Sequence, residues 1–548
     1  MLSVEGLCKS YGPFLVLNSI SFSLNKGMHV GLVGANGVGK STLLKILVGQ
    51  EVADTGETYV GSEETIGYLP QTLTVLSGKK IEELITESTG ELRQLEARMH
   101  DIEKTMSTAG DSLLASLMDE YGEVSRRFEE CGGYNLEYQA DIVLEGLGIG
   151  HVEKSRLVET LSGGEKTRLG LAMLLLGSPD ILLLDEPTNN LDIKYLGWLE
   201  GHLNSYRGAF IMASHDRQLL NTAANWIYEI DEHTHSLAKY PGNYDDFKAT
   251  KDRERLKWEE GYERQQGEIK ELKRVMRTTT SETRHRQKPR DSDKFIPHFK
   301  GERLQNATAR TIRSARERLS RIMEDQISKP PEPLRFKASF VPSEIKSAEI
   351  IRSTGLSKSY NDKTVLQDIS LTLSANSRVV ITGPNGSGKT TLLRLLSCKE
   401  KPDSGEVTWA PNIRLGYLPQ EPGYVERGLT VLDYYRLGLT GYEEDFIFGL
   451  VTCGLFNYDE INKTLEQLSL GQIRKLEIAR MIATEPNVLV LDEPTNHISL
   501  DVLESFEAAI TDFTGPILIA SHDRRFIQRF GGELWELADG HIFLGGLS

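Results

Sequence analysis

The chain has 548 residues, of which 39% are hydrophobic and 26% charged, and its formal net charge is −16 at pH 7. These proportions exclude a fully disordered, a collagen-like or a disulfide-stapled chain, and the length predicts about three to four domains. The apolar runs fall far short of the roughly 20 residues of a membrane helix, and the N-terminus lacks the pattern of a signal peptide. We therefore expect a soluble, cytoplasmic protein.

The first informative element is a glycine-rich loop that follows an apolar, β-prone run at 29–33 and precedes a helical run at 43–48. Glycines at the spacing of Gly34-x4-Gly39-Lys40-Ser41 allow backbone N–H groups to wrap phosphates, and the helix N-terminus favours their charge. In such a P-loop the lysine reaches the outer phosphates and the serine coordinates Mg²⁺. The predicted nucleotide-binding residues are Gly34, Asn36, Gly37, Gly39, Lys40, Ser41 and Thr42.

A segment at 79–135 predicts an inserted helical hairpin. Hydrophobic residues recur at intervals of three and four over 92–106 and again over 114–128, with a turn signal between them. Residues 79–130 carry 7 basic and 13 acidic residues, a net charge of −6. This charge favours contact with a basic protein over a phosphate backbone. A solvated hairpin without a partner is the alternative.

Two further motifs complete the first domain, which we place at 1–240. Asp185 and Glu186 follow an apolar strand, and His215 follows another. An aspartate at such a strand end binds Mg²⁺, the next carboxylate acts on water as a general base, and the histidine contacts a γ-phosphate. The first domain is therefore predicted to hydrolyse a nucleotide.

A charged segment at 241–345 is predicted to be a linker of two helices with a basic tip loop at 277–303. Residues 251–330 hold 22 Lys and Arg against 14 Asp and Glu, a net charge of +8, which leaves −24 for the rest of the chain. Helical hydrophobic seams run over 258–276 and 312–322. The segment is not rich in glycine and serine, as a flexible linker would be, so we expect it to hold a shape.

The first domain is then repeated over 346–548. The runs at 6–12 and 34–42 return 349 residues later, whereas those at 182–189 and 213–217 return 307 residues later. The difference of 42 residues corresponds to the insertion. By this correspondence the second site comprises Gly383, Asn385, Gly386, Gly388, Lys389, Thr390 and Thr391, with Asp492 for Mg²⁺ and Glu493 and His522 for catalysis.

The two domains resemble ATP-binding cassette (ABC) proteins, whose signature matches the run at 161–165 and, less well, that at 468–472. The resemblance covers nearly the whole chain outside 79–135 and 241–345. It implies an α/β fold of two tandem P-loop ABC domains in a monomer that hydrolyses ATP with Mg²⁺. Each ATP then lies between the P-loop of one copy and the signature of the other. The residues it adds are Tyr11 and Tyr360 for adenine stacking, Gln71 and Gln420 near Mg²⁺ and water, and Ser162, Gly163, Gly164, Ser469 and Gly471 in the signatures.

The second copy departs from the family pattern at two positions. Leu470 replaces the first signature glycine, and Ser499 stands where the first copy has Asp192. Because the motifs of the second copy face the first P-loop, both departures belong to the ATP site that the first P-loop forms. We therefore expect this site to hydrolyse ATP more slowly than the other.

The inserted hairpin and the basic linker resemble the ABC-F proteins, ribosome-binding ATPases that enter the tRNA exit site. The resemblance implies the bacterial 70S ribosome as partner, with the linker tip toward large-subunit rRNA and the P-site tRNA and the inserted arm toward the stalk. The tip chemistry suits RNA, since cations neutralise phosphate and rings stack on bases. The residues are Arg284, Arg286, Lys288, Arg290, Lys294 and Lys300 for phosphate, and His285, Phe295, His298 and Phe299 for stacking.

Several functions remain open at this point. The long tip and the altered second-copy motifs look most like antibiotic-resistance ABC-F members, which displace ribosome-bound drugs, and housekeeping translation factors are the near alternative. A transporter motor that docks on a separate membrane protein explains the cassettes but not the linker. A DNA-repair-like cassette ATPase predicts zinc-binding cysteines, which the sequence lacks. The remaining alternative is that the basic loop is solvated and binds no RNA.

Overall fold

The computed structural model describes the chain apart from residues 36, 63, 71–77, 89, 108–110, 131–135, 189–190, 233, 286–296, 331–347, 361–362, 422–427, 457, 496–497, 499 and 546–548. The predicted site residues Asn36 and Gln71, the departure at Ser499 and the centre of the linker tip lie outside the described residues. The chain divides into two compact units, Met1–Tyr244 together with Leu334–Ser548, and Asp245–Pro333.

The first P-loop domain, called the first cassette below, alternates strands and helices. Its strands are β1 (Leu2–Tyr11), β2 (Phe14–Leu24), β3 (His29–Val33), β4 (Thr55–Val60), β5 (Ile66–Leu69), β6 (Ile181–Asp185), β7 (Ala209–Ala213), β8 (Trp226–Ile230) and β9 (Leu237–Pro241). Its helices are α1 (Lys40–Leu47), α2 (Ile81–Ser88), α3 (Gly90–Met106), α4 (Asp111–Glu130), α5 (Leu136–Gly146), α6 (Gly163–Leu176), α7 (Ile193–Asn204) and α8 (Arg217–Ala223), with a 3₁₀ turn at Val158–Thr160.

Two sheets form the first cassette. A six-stranded sheet has the order β5-β6-β7-β3-β8-β9 and is parallel except for β9, while β2-β1-β4 form a separate antiparallel sheet. Every residue of β6 and β7 is buried, as expected for central strands covered on both faces. The carboxyl ends of β3, β6 and β7 share one edge, where ligands bind in parallel α/β sheets. The P-loop, Asp185 and His215 therefore meet at this edge.

The predicted inserted hairpin is confirmed as α3 and α4. Met99 and Phe128 are buried between the two helices, with Tyr121 and Val124 packed against them. A hydrogen bond of 2.9 Å from the hydroxyl of Tyr121 to Glu103 adds a polar link at its surface.

The second P-loop domain, called the second cassette, repeats this architecture. Its strands are β10 (Glu349–Tyr360), β11 (Lys363–Ser374), β12 (Arg378–Thr382), β13 (Ser404–Trp409), β14 (Leu415–Leu418), β15 (Val488–Asp492), β16 (Ile517–Ala520), β17 (Glu533–Ala538) and β18 (His541–Gly545). Its helices are α11 (Lys389–Leu396), α12 (Val431–Arg436), α13 (Glu443–Thr452), α14 (Leu470–Ala483), α15 (Leu500–Asp512) and α16 (Arg524–Phe530), with 3₁₀ turns at Tyr458–Glu460 and Leu465–Gln467. The helices α9 (Tyr244–His285) and α10 (Pro297–Glu324) precede this cassette in the linker. The sheet orders β14-β15-β16-β12-β17-β18 and β11-β10-β13 match the first cassette strand for strand, which confirms the duplication.

The linker contains two long helices, α9 (Tyr244–His285) and α10 (Pro297–Glu324). Ile269 and Ala315 are buried on the predicted seams, and the indole of Trp258 donates to the carbonyl oxygen of Ser328 at 3.0 Å. Both helices extend further into the segment 277–303 than the predicted loop allowed. Pro297 explains one end, since proline suits the first turn of a helix, where its missing N–H is not needed.

Candidate active site

The P-loops curve tightly because glycine occupies the positions with positive φ. Gly34 and Gly39 have φ of 148° and 112°, and Gly383 has φ of 144°. A Cβ on Gly34 would lie 2.7 Å from the carbonyl oxygen of Ile230, and one on Gly383 would lie 2.2 Å from that of Leu537. Any other residue would therefore displace the loop from the neighbouring strand. The second loop has the same form at its remaining predicted glycines, Gly386 and Gly388, with φ of 80° and 103°.

The P-loop lysines are buried beside their loops. Nζ of Lys40 donates to the carbonyl oxygens of Gly34 at 2.9 Å and Ala35 at 3.1 Å. Nζ of Lys389 donates to the two equivalent oxygens at 2.8 and 2.9 Å. Burial lowers the pKa of both lysines, and the carboxylates at the strand ends oppose this effect. A cation held at this point is placed to bind phosphate oxygens entering the loop.

Oxygen-bearing side chains gather where β15 ends near α11. The hydroxyl of Thr390 donates to Oε1 of Gln420 at 3.2 Å. Burial raises the pKa of Asp492, and a hydrogen bond with Thr390 opposes this rise. Oδ2 of Asp492 is buried and has no hydrogen-bond partner among the described residues. In the first cassette burial likewise raises the pKa of Asp185, and the hydroxyl of Ser41 opposes it. Hydroxyl, amide and carboxylate oxygens fit Mg²⁺.

The residue after each strand-end aspartate has a left-handed backbone, with φ of 51° at Glu186 and 44° at Glu493. This conformation is uncommon for residues other than glycine and often marks a functional position. Oε1 of Glu186 lies 3.3 Å from Nε2 of His215, and Oε1 of Glu493 lies 3.4 Å from Nε2 of His522. Burial raises the pKa of Glu186 to about 7 and that of Glu493 to about 8. A carboxylate with a pKa near neutrality suits general base catalysis.

Each catalytic histidine candidate lies in a three-residue loop between a strand and a helix. In the first cassette the N–H of Asp216 donates to Oγ of Ser214 at 3.1 Å, and Oδ1 of Asp216 accepts from the N–H of Leu219 at 2.9 Å. The second cassette has the same two bonds at the same distances. The aspartate thus caps the following helix and limits the freedom of the histidine beside it.

The signature serines begin helices. Ser162 caps α6 in a reciprocal capping box with Glu165, and Ser469 caps α14 in the same way with Gln472. Their orphan N–H groups make these helix ends favourable for an anion. Gly163 and Gly164 form the first turn of α6, and Leu470 and Gly471 form that of α14. The side chain of Leu470 is 58% exposed at this turn.

Two contacts bring each P-loop to the opposite cassette. A Cβ on Gly37 of the first loop would lie 3.8 Å from Cβ of Ser469. The backbone N–H of Asn385, in the second loop, donates to Oδ1 of Asp192 at 2.7 Å. The P-loop of each copy therefore lies beside a motif of the other copy, in a head-to-tail arrangement.

Tyr11 and Tyr360 are half-exposed, and each is tied to its own cassette. Their hydroxyls bond Glu51 and Glu400 respectively. Burial raises the pKa of both phenols, the bonds to Glu51 and Glu400 raise it further, and the threonines next to the P-loop hydroxyls, Thr42 and Thr391, oppose this rise. The ammonium of a lysine lies 5.5 Å from the Tyr11 ring centroid and 5.6 Å from that of Tyr360. An aromatic ring is thus presented next to each P-loop.

Arg474 was not among the predicted site residues. Its fully buried guanidinium donates to the carbonyl oxygens of Pro419, Asp492 and Glu493 and pairs with Glu477 at 3.3 Å. It therefore ties the signature helix α14 to the residue before Gln420 and to the end of β15. The available sequence signal was an Arg with a Glu three residues later in the second signature helix. The first cassette has Thr167 and Gly170 at these positions.

Comparisons with known proteins agree with this geometry. A family model described as ABC transporter matches residues 17–189 and 366–496, and a second model with the same description matches 230–337. The chain is 34% identical to the tylosin resistance ATP-binding protein TlrC of Streptomyces fradiae, over 99% of this chain and 98% of that protein. It is 29% identical to ABC transporter F family member 5 of Arabidopsis thaliana, over 98% and 75%.

The solved structure of an RNase-L Inhibitor has the same fold, with a TM-score of 0.56 at 18% identity, covering 97% of this chain and 87% of that one. Among the described residues no helix is long and apolar enough to cross a membrane. With two P-loop domains of the ABC type, an inserted hairpin and a two-helix linker, the chain belongs to the ABC-F family of P-loop ATPases.

Proposed function

We propose that the two cassettes enclose two ATP molecules between them, each held by the P-loop of one copy and the signature of the other. The main support is the placement of Ser469 beside Gly37 and of Asp192 against the N–H of Asn385. Such sites are incomplete until the cassettes meet. ATP binding then favours the closed arrangement, and hydrolysis releases it.

Each catalytic residue has a distinct role in this proposal. Lys40 and Lys389 bind the outer phosphates, and Glu186 and Glu493 accept a proton from the attacking water. His215 and His522 orient these glutamates and contact the γ-phosphate. The Mg²⁺ ligands are Ser41, Asp185 and Gln71 in the first site and Thr390, Asp492 and Gln420 in the second. When bound, Mg²⁺ neutralises charge on the transferred phosphate.

We further propose that the protein binds the bacterial 70S ribosome at the tRNA exit site, as the ABC-F resemblance implies. The net charge of +8 over residues 251–330 supports a phosphate-rich partner. Within the linker, Gln265 accepts from the N–H of Ile327 at 2.8 Å and donates to the carbonyl oxygen of Asp325 at 2.9 Å. These bonds and that of Trp258 join α9 to the chain that follows α10.

The finer proposal is antibiotic resistance by drug displacement. Full-length similarity to a tylosin resistance protein supports it. The test is expression in a macrolide-susceptible bacterium, with the Lys40→Ala, Lys389→Ala double variant as the control that retains the linker. Resistance to macrolides or lincosamides that the control lacks supports the proposal. Unchanged susceptibility, with the protein expressed and bound to ribosomes, contradicts resistance and favours a housekeeping translation factor.

A transporter motor is the function of another class. It predicts recovery of the protein with a membrane partner and no association with ribosomes. A transporter motor gives the basic linker no role, so we rank this function second.

A further inference from the structure

Six charged side chains from the two cassettes meet at one place, called the central ionic cluster below: Glu200, Asp216 and Arg217 of the first cassette, and Glu507, Asp523 and Arg524 of the second. Nη1 of Arg217 donates to Oε2 of Glu507 at 3.2 Å, and its Nη2 bonds Oε1 of the same carboxylate and lies 3.4 Å from Oδ2 of Asp523. Nη1 of Arg524 donates to Oε2 of Glu200 at 3.2 Å, and Nη2 bonds Oε1. Both pairs are bidentate and cross from one cassette to the other.

The two pairs are related by the duplication. Arg217 corresponds to Arg524 and Glu200 to Glu507, each 307 residues apart. Each arginine contacts the glutamate of the opposite copy, so the contact is reciprocal in the manner of a two-fold interface. Asp216 and Asp523 correspond in the same way. Burial raises the pKa of Asp216, and repulsion by the Asp523 carboxylate raises it further. A chance surface contact has no reason to be reciprocal.

The cluster begins directly after the catalytic loops. Arg217 is the first residue of α8, two residues beyond His215, and Arg524 stands in the same relation to His522. The partner glutamates lie on α7 and α15, the helices that follow the catalytic strand ends of the opposite cassettes. Fixing the guanidinium across the interface thus restrains the short loop that holds the histidine 3.3 Å from Glu186, or 3.4 Å from Glu493.

The energetics of the cluster suit a contact that forms and breaks. Burying an ion pair costs desolvation that offsets much of its attraction, so such pairs specify geometry more than they add stability. When the cassettes separate, water hydrates the charged groups again and offsets the loss of the ion pairs. An apolar contact of the same size would gain no such hydration on separation. Leaving one partner buried alone is costly, so an incompletely closed arrangement is disfavoured. The cluster therefore distinguishes a correctly closed interface from a partly closed one.

We infer that Arg217 and Arg524 are positioning residues that couple cassette closure to the placement of the catalytic histidines. Arg217 acts through Glu507 on the site containing Glu186 and His215, and Arg524 acts through Glu200 on the site containing Glu493 and His522. This inference rests on the proposed composite ATP sites. It predicts that each glutamate serves the catalytic residues of the cassette to which it does not belong.

The two halves of the cluster differ in depth. The side chains of Arg217 and Glu507 are 1% and 8% exposed, whereas those of Arg524 and Glu200 are 22% and 14% exposed. Arg529 adds a further contact to Glu507 at 3.4 Å. Solvent screens the second pair more, so the larger effect belongs to the first.

The test uses single-turnover ATP hydrolysis in two backgrounds of the full-length protein. Glu493→Gln leaves only the Glu186 site active, and Glu186→Gln leaves only the Glu493 site. Glu507→Gln is expected to lower the rate in the first background by about tenfold and to leave the second nearly unchanged. Glu200→Gln gives the opposite pattern with a smaller loss. The matched control is Asp512→Asn, an exposed carboxylate on the same helix as Glu507, which is expected to change neither rate.

Measurements of ATP-analogue binding and of rescue by charge exchange distinguish a positioning role from a general loss of structure. A fluorescent ATP analogue is expected to bind the Gln variants as tightly as their parents, and the Arg524→Glu, Glu200→Arg exchange restores most of the rate lost in Arg524→Glu. A loss confined to the site of the mutated glutamate's own cassette, an equal loss at both sites, or no loss at all overturns the inference. Failure of the proposed function is distinct, because the unmodified protein then shows no ATP turnover.

Discussion

The backbone N–H of Asn385 donates a hydrogen bond of 2.7 Å to Oδ1 of Asp192, across the boundary between the two cassettes. Asp192 follows the catalytic strand end of the first copy, and Asn385 belongs to the P-loop of the second. The carboxylate thus holds the second P-loop against the first cassette. At the position corresponding to Asp192, the second copy has Ser499, which is neutral and shorter.

We predict that the two sites differ in rate because of this substitution and of Leu470. Asp192→Ser is expected to slow single-turnover hydrolysis at the Glu493 site about tenfold, as loss of a hydrogen bond to a charged group costs about 1.5–3 kcal/mol. Ser499→Asp is expected to speed the Glu186 site. Equal rates for the Glu186→Gln and Glu493→Gln single variants would count against the asymmetry.

The two glutamates with left-handed backbone are predicted to be the general bases. The Glu186→Gln, Glu493→Gln double variant keeps the side-chain volume but cannot accept the proton, so kcat is expected to fall by about 10²–10⁴-fold. ATP binding is expected to persist, measured by equilibrium dialysis. A double variant that still turns over ATP at the parental rate would assign the proton transfer to another group.

Gly383 is predicted to tolerate no side chain. Gly383→Ala places a Cβ 2.2 Å from the carbonyl oxygen of Leu537 at a φ of 144°, so the loop must shift and ATP binding by the second site is lost. The control is Gly201→Ala on α7, where a Cβ meets nothing within 4 Å. That change is expected to stabilise the helix by about 0.5–1 kcal/mol. Thermal unfolding measures the stability of both variants, and nucleotide binding shows which of them has lost a site. Normal ATP binding by Gly383→Ala would refute the assigned loop geometry.

Arg474 provides a test of the second cassette's interior. Arg474→Met removes three bonds to carbonyl oxygens and leaves Glu477 buried without the guanidinium, which is expected to cost about 3–5 kcal/mol of unfolding free energy. The Arg474→Met, Glu477→Leu double variant is expected to recover much of this loss, because the Glu477 carboxylate is then no longer buried without its guanidinium. The unfolding free energies of the single and double variants are measured by urea denaturation, with hydrogen exchange of second-cassette peptides as the signal. A double variant as unstable as the single one would show that the carbonyl bonds dominate.

The duplication, the P-loops and the strand-end carboxylates were predictable because each is a local pattern of strand, turn and helix. The left-handed backbone of Glu186 and Glu493 was not, since it depends on how β6 and β15 pack against their neighbours. The pairing of Arg217 with Glu507 joins residues 290 positions apart, and one sequence carries no signal for such a contact. The linker helices extend past the predicted loop ends over 278–285 and 297–302. These stretches contain threonines and a glycine, which are weak helix formers, so local propensity did not indicate the extension.

We propose that ATP binding closes the two cassettes while the protein is bound to the ribosome. The test is to sediment the Glu186→Gln, Glu493→Gln double variant with 70S ribosomes at moderate salt, with and without ATP. The control adds Lys40→Ala and Lys389→Ala, which remove the phosphate-binding cations but keep the linker. Co-sedimentation that requires both ATP and the lysines is the predicted result. Absence of ribosome binding by a double variant that binds ATP normally would contradict the claim.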